Sequence, residues 1–180
     1  MQFRVNSLEL TEKIKKIKLL ILDVDGVLTD GRIIYDSNGC DSKFFDVHDG
    51  LGVYLLREFG IRTILLSAKD SPVLKHRAKD MRVEEIYADA APKTKALDRI
   101  LKKYKLNDSE VCFVGDDLVD LGVLKRVGFA VAVAGACEEV KQSAAYITKK
   151  QGGRGAVREV TELILKSHNK WNEAVRIFEK

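Results

Sequence analysis

No stretch of this sequence is apolar for long enough to cross a membrane. A spanning helix needs about 20 consecutive apolar residues, and the apolar runs of this 180-residue chain are all much shorter. The N-terminal segment, residues 1–18, also lacks the apolar core of a secretory signal peptide. We therefore expect a cytoplasmic protein without a membrane partner.

Cysteine is scarce as well. Cys40, Cys112 and Cys137 are odd in number and far apart, so they make neither a disulfide framework nor a metal-binding spacing. Free thiols are typical of a reducing compartment, which again favours the cytoplasm. Cys112 lies in an apolar run and is predicted to pack in the core.

The sequence has no long block of like charge. Its 31 basic and 27 acidic residues are interspersed and give a net charge of only +4. This pattern is typical of solvated helix faces rather than of a nucleic-acid-binding surface, although the mild positive excess is compatible with a small anionic substrate. No internal repeat or low-complexity tract interrupts the chain, so residues 1–180 are predicted to form one domain.

The stretch Leu19–Thr29 carries the first sign of a functional site. Its apolar run, Leu19–Leu22, has the length and branching of a buried parallel strand, and Asp23 and Asp25 follow on one side of an extended backbone. Two close carboxylates repel each other unless a cation holds them, which favours a divalent metal ion. The alternative is a strand that simply ends in a polar turn, where Asp and Gly are common.

Strand and helix patterns alternate along the chain, which predicts a Rossmann-like α/β fold, a three-layer sandwich around a mainly parallel sheet. The strands are expected at about 18–23, 61–67, 83–87, 111–115, 129–133 and 146–148. The helices are expected from Ser7 and at about 51–59, 71–80, 93–104, 117–126 and 138–143. A last helix begins at Ala156 and is broken near 167–169, within a C-terminal tail at 152–180.

A β-hairpin is predicted as an excursion after the first strand, at about residues 31–47. Its strands are expected at 32–35 and 43–47, on either side of the turn Asp36–Gly39, whose Asn-Gly pair favours such a connection.

Reactive side chains follow three of the predicted strands: Asp23 and Asp25, then Ser67, then Asp116 and Asp117. Parallel strands present their carboxyl ends along one edge of a sheet, where α/β proteins bind ligands. Lys93 begins a helix that can reach the same edge. Carboxylates suit Mg²⁺, whereas a hydroxyl, an ammonium and helix N-termini suit a phosphate. An aspartate can also attack phosphorus and form an aspartyl-phosphate.

Each of these residues has an ordinary explanation when it is taken alone. Lys93 is one of many first-turn lysines, and Ser67 is a strand-end hydroxyl. Asp117 and Asp120 are acids that a helix dipole favours. Surface charge is an equally simple explanation for His48, Lys69, Arg77, Arg154 and Arg158. The joint placement at strand ends and helix starts is what favours a site.

In order and context, these motifs resemble the four signatures of the haloacid dehalogenase superfamily: Asp23–Thr29, Ser67, Lys93 and Gly115–Asp120. The resemblance implies that Asp23 is the nucleophile and that Asp25 is the general acid/base. It implies a Mg²⁺ site formed by Asp23, Asp116 and the backbone carbonyl of Asp25, with Asp117 and Asp120 in support. It also implies that Ser67 and Lys93 bind the phosphoryl group.

Three further segments, 30–31, 45–53 and 152–159, resemble the 3-deoxy-D-manno-octulosonate 8-phosphate phosphatases, which are small, cap-less, Mg²⁺-dependent tetramers serving lipopolysaccharide synthesis. The substrate-binding residues that this resemblance implies are Asp25, Asp46, His48, Asp49, Gly50, Lys69, Arg77, Lys93, Arg154 and Arg158. Because the hairpin is too small to close over a pocket, a neighbouring subunit of a homotetramer is expected to enclose it. The hairpins would then assemble as a barrel or ring, with residues 152–158 of the neighbour at the pocket.

The sequence departs from this family at two places. Ser67-Ala68-Lys69 stands where the family has Thr-Gly-Arg, and His48 stands where it has arginine. Lysine keeps the positive charge but lacks the forked geometry that arginine offers a carboxylate. Two alternatives therefore stay open: a phosphatase of another sugar-acid or small sugar phosphate, and a non-catalytic oligomeric module with the same fold.

Overall fold

Strands alternate with helices throughout the computed structural model, which describes residues 7–39 and 41–179. The strands are β1 (Leu19–Leu22), β2 (Ile34–Tyr35), β3 (Asp41–Ser42), β4 (Arg62–Leu66), β5 (Glu85–Tyr87), β6 (Val111–Gly115), β7 (Phe129–Ala132) and β8 (Tyr146–Ile147). The α-helices are α1 (Ser7–Ile14), α2 (Val47–Glu58), α3 (Pro72–Asp80), α4 (Lys93–Tyr104), α5 (Leu121–Leu124), α6 (Glu138–Ser143), α7 (Ala156–Ser167) and α8 (Trp171–Arg176). Short 3-10 helices lie at Asp108–Glu110 and Leu118–Asp120.

Six of these strands form one parallel sheet in the order β5-β4-β1-β6-β7-β8. From β1 the chain first runs outward through β4 and β5, and then crosses to β6 and continues outward on the other side. Right-handed crossovers in opposite directions put their helices on opposite faces of the sheet. The predicted fold class, a Rossmann-like α/β fold with a mainly parallel sheet, is therefore confirmed.

The helices pack in two groups that agree with this topology. On one side α2 packs against α7, which also contacts α1, and on the other side α5 contacts both α4 and α6. β1 lies at the centre, and all four of its residues are fully buried because it has a strand on each edge and helices on each face. The change of direction between β1 and β6 is the type of position at which open α/β sheets bind ligands.

The hairpin is present, but its returning strand was predicted in the wrong place. Gly39 N–H donates to the carbonyl of Asp36 at 3.1 Å, and β3 follows as Asp41–Ser42 rather than 43–47. Position 47 instead begins α2, because the Asp46 carboxylate accepts a hydrogen bond from His48 N–H at 2.7 Å and caps the helix. The helix predicted from residue 51 therefore starts at Val47, four residues earlier.

Most other elements lie where the periodicity predicts them. The bounds of α3, α4, β6 and α6 agree with the prediction, and the last helix is broken into α7 and α8. The helix predicted at 117–126 is shorter, a 3-10 turn followed by α5. Cys112 is fully buried, as expected. Among the described residues, no helix combines the length and the apolar character needed to cross a membrane.

Candidate active site

The register of the sheet brings three predicted site residues to one edge. Leu22 is level with Leu65 on β4 and with Val114 on β6. Asp23 directly follows β1, and its N–H donates to the carbonyl of Val114 at 3.0 Å. Ser67 follows β4 and Asp116 follows β6, so the carboxyl ends of three adjacent strands present these side chains together.

Lys93 reaches the same edge from the first residue of α4. Its ammonium lies 2.6 Å from Asp23 Oδ1 and 2.6 Å from Asp120 Oδ1, and its side chain is only 2% exposed. Burial lowers the pKa of Lys93, but the two neighbouring carboxylates outweigh this and hold the pKa above its ordinary value. Lys93 is therefore a cation under all ordinary conditions. The exposed Lys95, two residues further along, does not share this environment.

Asp120 organises the loop that follows β6. While its Oδ1 accepts a hydrogen bond from Lys93, its Oδ2 accepts one from the backbone N–H of Asp116 at 2.9 Å. Asp117, which is exposed, caps the short 3-10 helix by accepting a hydrogen bond from Leu118 N–H at 2.8 Å. Both residues thus hold the Asp116 loop in shape.

The carboxylates of Asp23, Asp116 and Asp120 form a cluster that could hold a metal ion. One oxygen from each lies within 4.8 Å of the others. Asp120 is already engaged, whereas Asp116 Oδ1 is buried and finds no hydrogen-bond partner among the described residues. A buried carboxylate oxygen without a partner is costly, and hard divalent cations prefer such oxygens. The cluster therefore fits a cation of the Mg²⁺ type.

The pKa values of Asp23 and Asp116 are raised because both carboxyl groups are buried close to other acidic groups. Burial raises the pKa of Asp23 to about 6, although the Lys93 ammonium acts in the opposite direction. Burial also raises the pKa of Asp116 to about 8, and the negative charge of Asp23 adds to this effect. A bound divalent cation would favour the ionised form of both groups. A positive charge beside Asp23 and Asp116 would therefore stabilise the ionised form of both carboxyl groups.

Asp25 has a partner that the sequence analysis did not single out. The ammonium of Lys43 donates to Asp25 Oδ1 at 2.5 Å, and the Lys43 side chain is only 3% exposed. Lys43 follows the hairpin, and nothing in its immediate sequence distinguishes it from the other lysines. Its position on the segment that returns from the hairpin was the one sequence feature that could have indicated a contact with the site.

Ser67 closes the turn between β4 and α3. Its hydroxyl donates to the carbonyl of Lys69 at 2.8 Å and accepts a hydrogen bond from Lys69 N–H at 3.1 Å. The turn keeps Ser67 buried and leaves the Lys69 side chain exposed at the rim.

A cavity of about 310 Å³ brings together the four predicted catalytic residues, Asp23, Asp25, Ser67 and Lys93. Its polar lining comes from Asp23, Asp25, Ser67, Lys69, Lys93, Asp116 and Asp117. A second cavity, of about 450 Å³, shares Asp25, Ser67 and Lys69 with it and extends beneath the hairpin to Lys43 and α3. The joint volume is sufficient for a ligand with a phosphate at one end and a larger body at the other.

Six predicted substrate-binding residues do not line either cavity and surround the N-terminus of α2 instead: Asp46, His48, Asp49, Gly50, Arg77 and Arg158. Arg77 donates to the carbonyl of Asp46 at 2.6 Å, and its guanidinium lies against Gly50. Asp49 is fully buried and accepts a hydrogen bond from Arg158 N–H at 2.7 Å, at the start of α7. Within one chain, these six residues, the α2–α7 group, connect α2 to α7 and to α3.

Arg154 lies beside the site on its other flank. It lines a cavity of about 500 Å³ together with Gly26 and Asp116, and its guanidinium is 3.8 Å from the Asp30 carboxylate. Gly152 packs directly on the loop after β1, where a Cβ would overlap the carbonyl of Gly26. The chain's own 152–154 segment thus supports the Asp23 loop.

Comparison with known proteins gives consistent relatives. Residues 71–160 match the model of a haloacid dehalogenase-like hydrolase family. The chain is 38% identical to the 3-deoxy-D-manno-octulosonate 8-phosphate phosphatase of Escherichia coli strain K12, over 93% of this chain and 89% of that protein. It is 37% identical to the phosphatase of the same name from Haemophilus influenzae, over 88% of each chain.

Solved structures give the same result. The 3-deoxy-D-manno-octulosonate 8-phosphate phosphatase of Moraxella catarrhalis, in complex with a magnesium ion, a phosphate ion and a KDO molecule, superposes with a TM-score of 0.94 at 40% identity. That match covers 96% of this chain and 99% of the other. The cobalt-bound phosphatase from Haemophilus influenzae superposes with a TM-score of 0.87 at 36% identity, over 93% and 96% of the two chains.

Proposed function

The chain belongs to the haloacid dehalogenase-like hydrolases and is a phosphomonoesterase of that family, and we propose that it hydrolyses 3-deoxy-D-manno-octulosonate 8-phosphate with Mg²⁺. The observation that supports this most directly is the cluster of Asp23, Asp116 and Lys93, which provides a nucleophile, a metal ligand and a buried cation at one point. Relatives that bear this phosphatase name cover nearly the whole chain.

The proposed reaction has two steps, and each is assigned to residues of this chain. A carboxylate oxygen of Asp23 attacks phosphorus, the bond from phosphorus to the sugar oxygen breaks, and Asp25 gives that oxygen a proton. Water then attacks the aspartyl-phosphate while Asp25 takes back a proton, which releases inorganic phosphate and restores Asp23. Lys93 and Ser67 hold the phosphoryl oxygens, and Lys93 offsets their charge as it moves between the two bonds.

Asp23, Asp116 and the backbone carbonyl of Asp25 are the proposed holders of Mg²⁺, with Asp117 and Asp120 supporting the loop. When bound, the ion supplies Lewis-acid stabilisation of charge on the transferring phosphoryl group. The unpartnered oxygen of Asp116 is the feature that favours this assignment.

The predicted substrate-binding residues around the N-terminus of α2 line neither cavity of their own chain. We propose a homotetramer in which hairpins meet and a neighbouring subunit brings part of the α2–α7 group, such as Arg158, to the pocket. Large apolar side chains on and after the hairpin support this, since Tyr35, Phe44 and Val47 are 60%, 69% and 73% exposed. We further propose that the enzyme works in the cytoplasm on a precursor of lipopolysaccharide.

The test is phosphate release from 3-deoxy-D-manno-octulosonate 8-phosphate and from 4-nitrophenyl phosphate by wild type and Asp23→Asn. We expect Mg²⁺-dependent release by wild type, loss with a chelator, and no detectable release by Asp23→Asn. Asp98→Asn, at an exposed ion pair with Arg126, is the matched control and should keep full activity. If wild type and Asp23→Asn were equally inactive on every ester, a non-catalytic oligomeric module would be the better description.

A second substrate is favoured by one observation. Lys69, at the rim of the pocket, stands where an arginine is expected for a sugar carboxylate. A phosphatase of another sugar-acid or small sugar phosphate would have the same reacting groups. A screen of phosphorylated sugars and sugar acids with the purified protein and Mg²⁺ distinguishes the two, because the preferred ester has the highest kcat/KM.

A further inference from the structure

We infer that Lys43 is a positioning residue for proton transfer: its buried ammonium binds Oδ1 of Asp25 and so orients Oδ2, the oxygen that carries the proton given to the leaving group and takes one back from water in the second step. The inference rests on the proposed phosphatase function and assigns a role to a residue outside the four signature motifs. It concerns orientation, since Lys43 itself exchanges no proton with the substrate.

The Lys43–Asp25 contact is short and largely shielded from water. Nζ lies 2.5 Å from Asp25 Oδ1, and the two side chains are 3% and 29% exposed. A lysine is almost never buried without a partner, because an isolated buried charge is costly. The hydrogen bond to Asp25 offsets this cost for Lys43. With Oδ1 held by Lys43, Oδ2 is the oxygen that can exchange a proton with a ligand.

Lys43 is itself held from the opposite side. Its ammonium is 3.7 Å from Asp41 Oδ2, and the Asp41 carboxylate accepts hydrogen bonds from the Ser71 hydroxyl at 2.9 and 3.1 Å. Ser71 directly precedes α3. A continuous series of polar contacts therefore runs from the start of α3 through the hairpin strand β3 to Asp25, which leaves Asp25 little freedom to turn away.

The position of Asp25 between the two cavities supports the same role. The 310 Å³ cavity contains Asp23 and Lys93, where a phosphoryl group would sit, and the 450 Å³ cavity contains Lys43, Asp41 and Ser71. Asp25 lines both. The oxygen that joins phosphorus to the rest of the substrate would cross from one cavity to the other at Asp25, where its proton must be supplied.

This geometry predicts an effect that depends on the leaving group. A sugar alkoxide is a poor leaving group and needs a proton as the bond to phosphorus breaks, whereas 4-nitrophenolate leaves as a stable anion. If Lys43 acts through Asp25, its removal should slow the sugar ester far more than the 4-nitrophenyl ester. A merely structural role would reduce both rates by the same factor.

The experiment compares kcat/KM for the two esters in wild type and Lys43→Met, because kcat/KM reports the steps up to release of the leaving group. We expect a fall of about 100-fold for 3-deoxy-D-manno-octulosonate 8-phosphate and of less than about threefold for 4-nitrophenyl phosphate. Lys75→Met, at an exposed lysine paired with Asp70, is the matched control and should change neither.

Equal losses on both esters would overturn the inference. If Lys43→Met does not fold, Asp41→Asn replaces it, since this change loosens Lys43 from the far side, and the same selective but smaller loss is expected. A wild type that hydrolyses neither ester would overturn the proposed function and this inference together. An active wild type with a uniform loss in both variants would overturn the inference alone.

Discussion

Lys93 and Asp120 form a buried ion pair directly beneath the reacting edge of the sheet. Their charged atoms are 2.6 Å apart, and their side chains are 2% and 0% exposed. The same Asp120 carboxylate accepts a hydrogen bond from the backbone of Asp116, so one residue orders both the Lys93 ammonium and the loop that carries Asp116. A change at Asp120 is therefore expected to disturb Lys93 and the Asp116 loop together.

Asp120→Asn should weaken both the fold and the metal site. The amide keeps the shape but leaves the buried Lys93 ammonium with one counter-charge fewer, which costs about 3 kcal/mol in the free energy of unfolding. Loss of the loop's support should weaken Mg²⁺ binding by about 10- to 100-fold. Urea unfolding and isothermal titration with Mg²⁺ measure the two effects. Asp98→Asn serves as control and should stay within about 0.5 kcal/mol of wild type, whereas an unchanged Mg²⁺ affinity in Asp120→Asn would refute the argument.

Gly26→Ala should abolish metal binding. Gly26 has a positive φ of +94°, and a Cβ there would overlap the Asp116 carboxylate. Gly60 provides a matched control, because it has a similar φ of +79° but open space around the Cβ position. Both variants should lose about 1–2 kcal/mol to backbone strain, but only Gly26→Ala should lose Mg²⁺ affinity and activity. Equal activities in the two variants would contradict this account of the close approach.

Asp49 should give the protein a characteristic dependence of stability on pH. Burial raises the pKa of Asp49 to about 6, although the N–H of Arg158 opposes the shift. Between pH 4 and pH 6 the folded protein holds a proton that the unfolded chain has released, so the contribution of Asp49 to the free energy of unfolding falls as the pH rises. From pH 4 to pH 7, wild type should lose about 2 kcal/mol relative to Asp49→Asn.

Urea unfolding of the two proteins at both pH values measures this difference. Asp80→Asn, an exposed carboxylate at the end of α3, is the control and should give nearly the same difference from wild type at both pH values. A pH-independent gap between wild type and Asp49→Asn would mean that Asp49 is ionised in the folded protein.

Lys69→Ala tests whether the pocket rim recognises the sugar carboxylate. If it does, KM for the sugar-acid phosphate should rise about tenfold, while KM for a phosphate ester without a carboxylate should hardly change. Lys102→Ala, at an exposed lysine on α4 that lines neither cavity of the site, should change neither value. The same rise for both esters would assign Lys69 to the phosphate rather than to the carboxylate.

Phe44→Glu should weaken the proposed tetramer. Phe44 is 69% exposed, and a charge buried at a hairpin interface would be strongly unfavourable. Sedimentation velocity should show smaller species for Phe44→Glu and the wild-type species for Val175→Glu, which alters an exposed apolar residue of α8. A wild type that is monomeric yet fully active and selective would refute the shared pocket.

The sequence was sufficient for the fold and for the convergence of the central side chains because both depend on strong local patterns. Short apolar runs such as Leu19–Leu22, rich in branched side chains, are typical of interior strands, and parallel strands necessarily bring their carboxyl ends together. Asp23, Ser67 and Asp116 could therefore be placed at one edge before the register was known. Lys93 followed from its place at a helix start.

The hairpin and Lys43 were harder for a physical reason. Strands of two residues have no periodicity that can be recognised, and the capping carboxylate of Asp46 converts an apparent strand into the start of α2. Asp25, the partner of Lys43, lies 18 residues away in sequence. Whether the two side chains meet in space depends on where the hairpin folds back. Such contacts are decided by tertiary packing rather than by local pattern.

The neighbouring strands β4, β1 and β6 come from distant parts of the chain. While the protein is being synthesised, β1 and β4 can pair early, but the edge between β1 and β6 is completed only after about two-thirds of the chain has left the ribosome. A nascent chain therefore cannot bring Asp23, Lys93 and Asp116 together before about two-thirds of it has emerged. Prematurely terminated products that lack β6 would be inert rather than partially active.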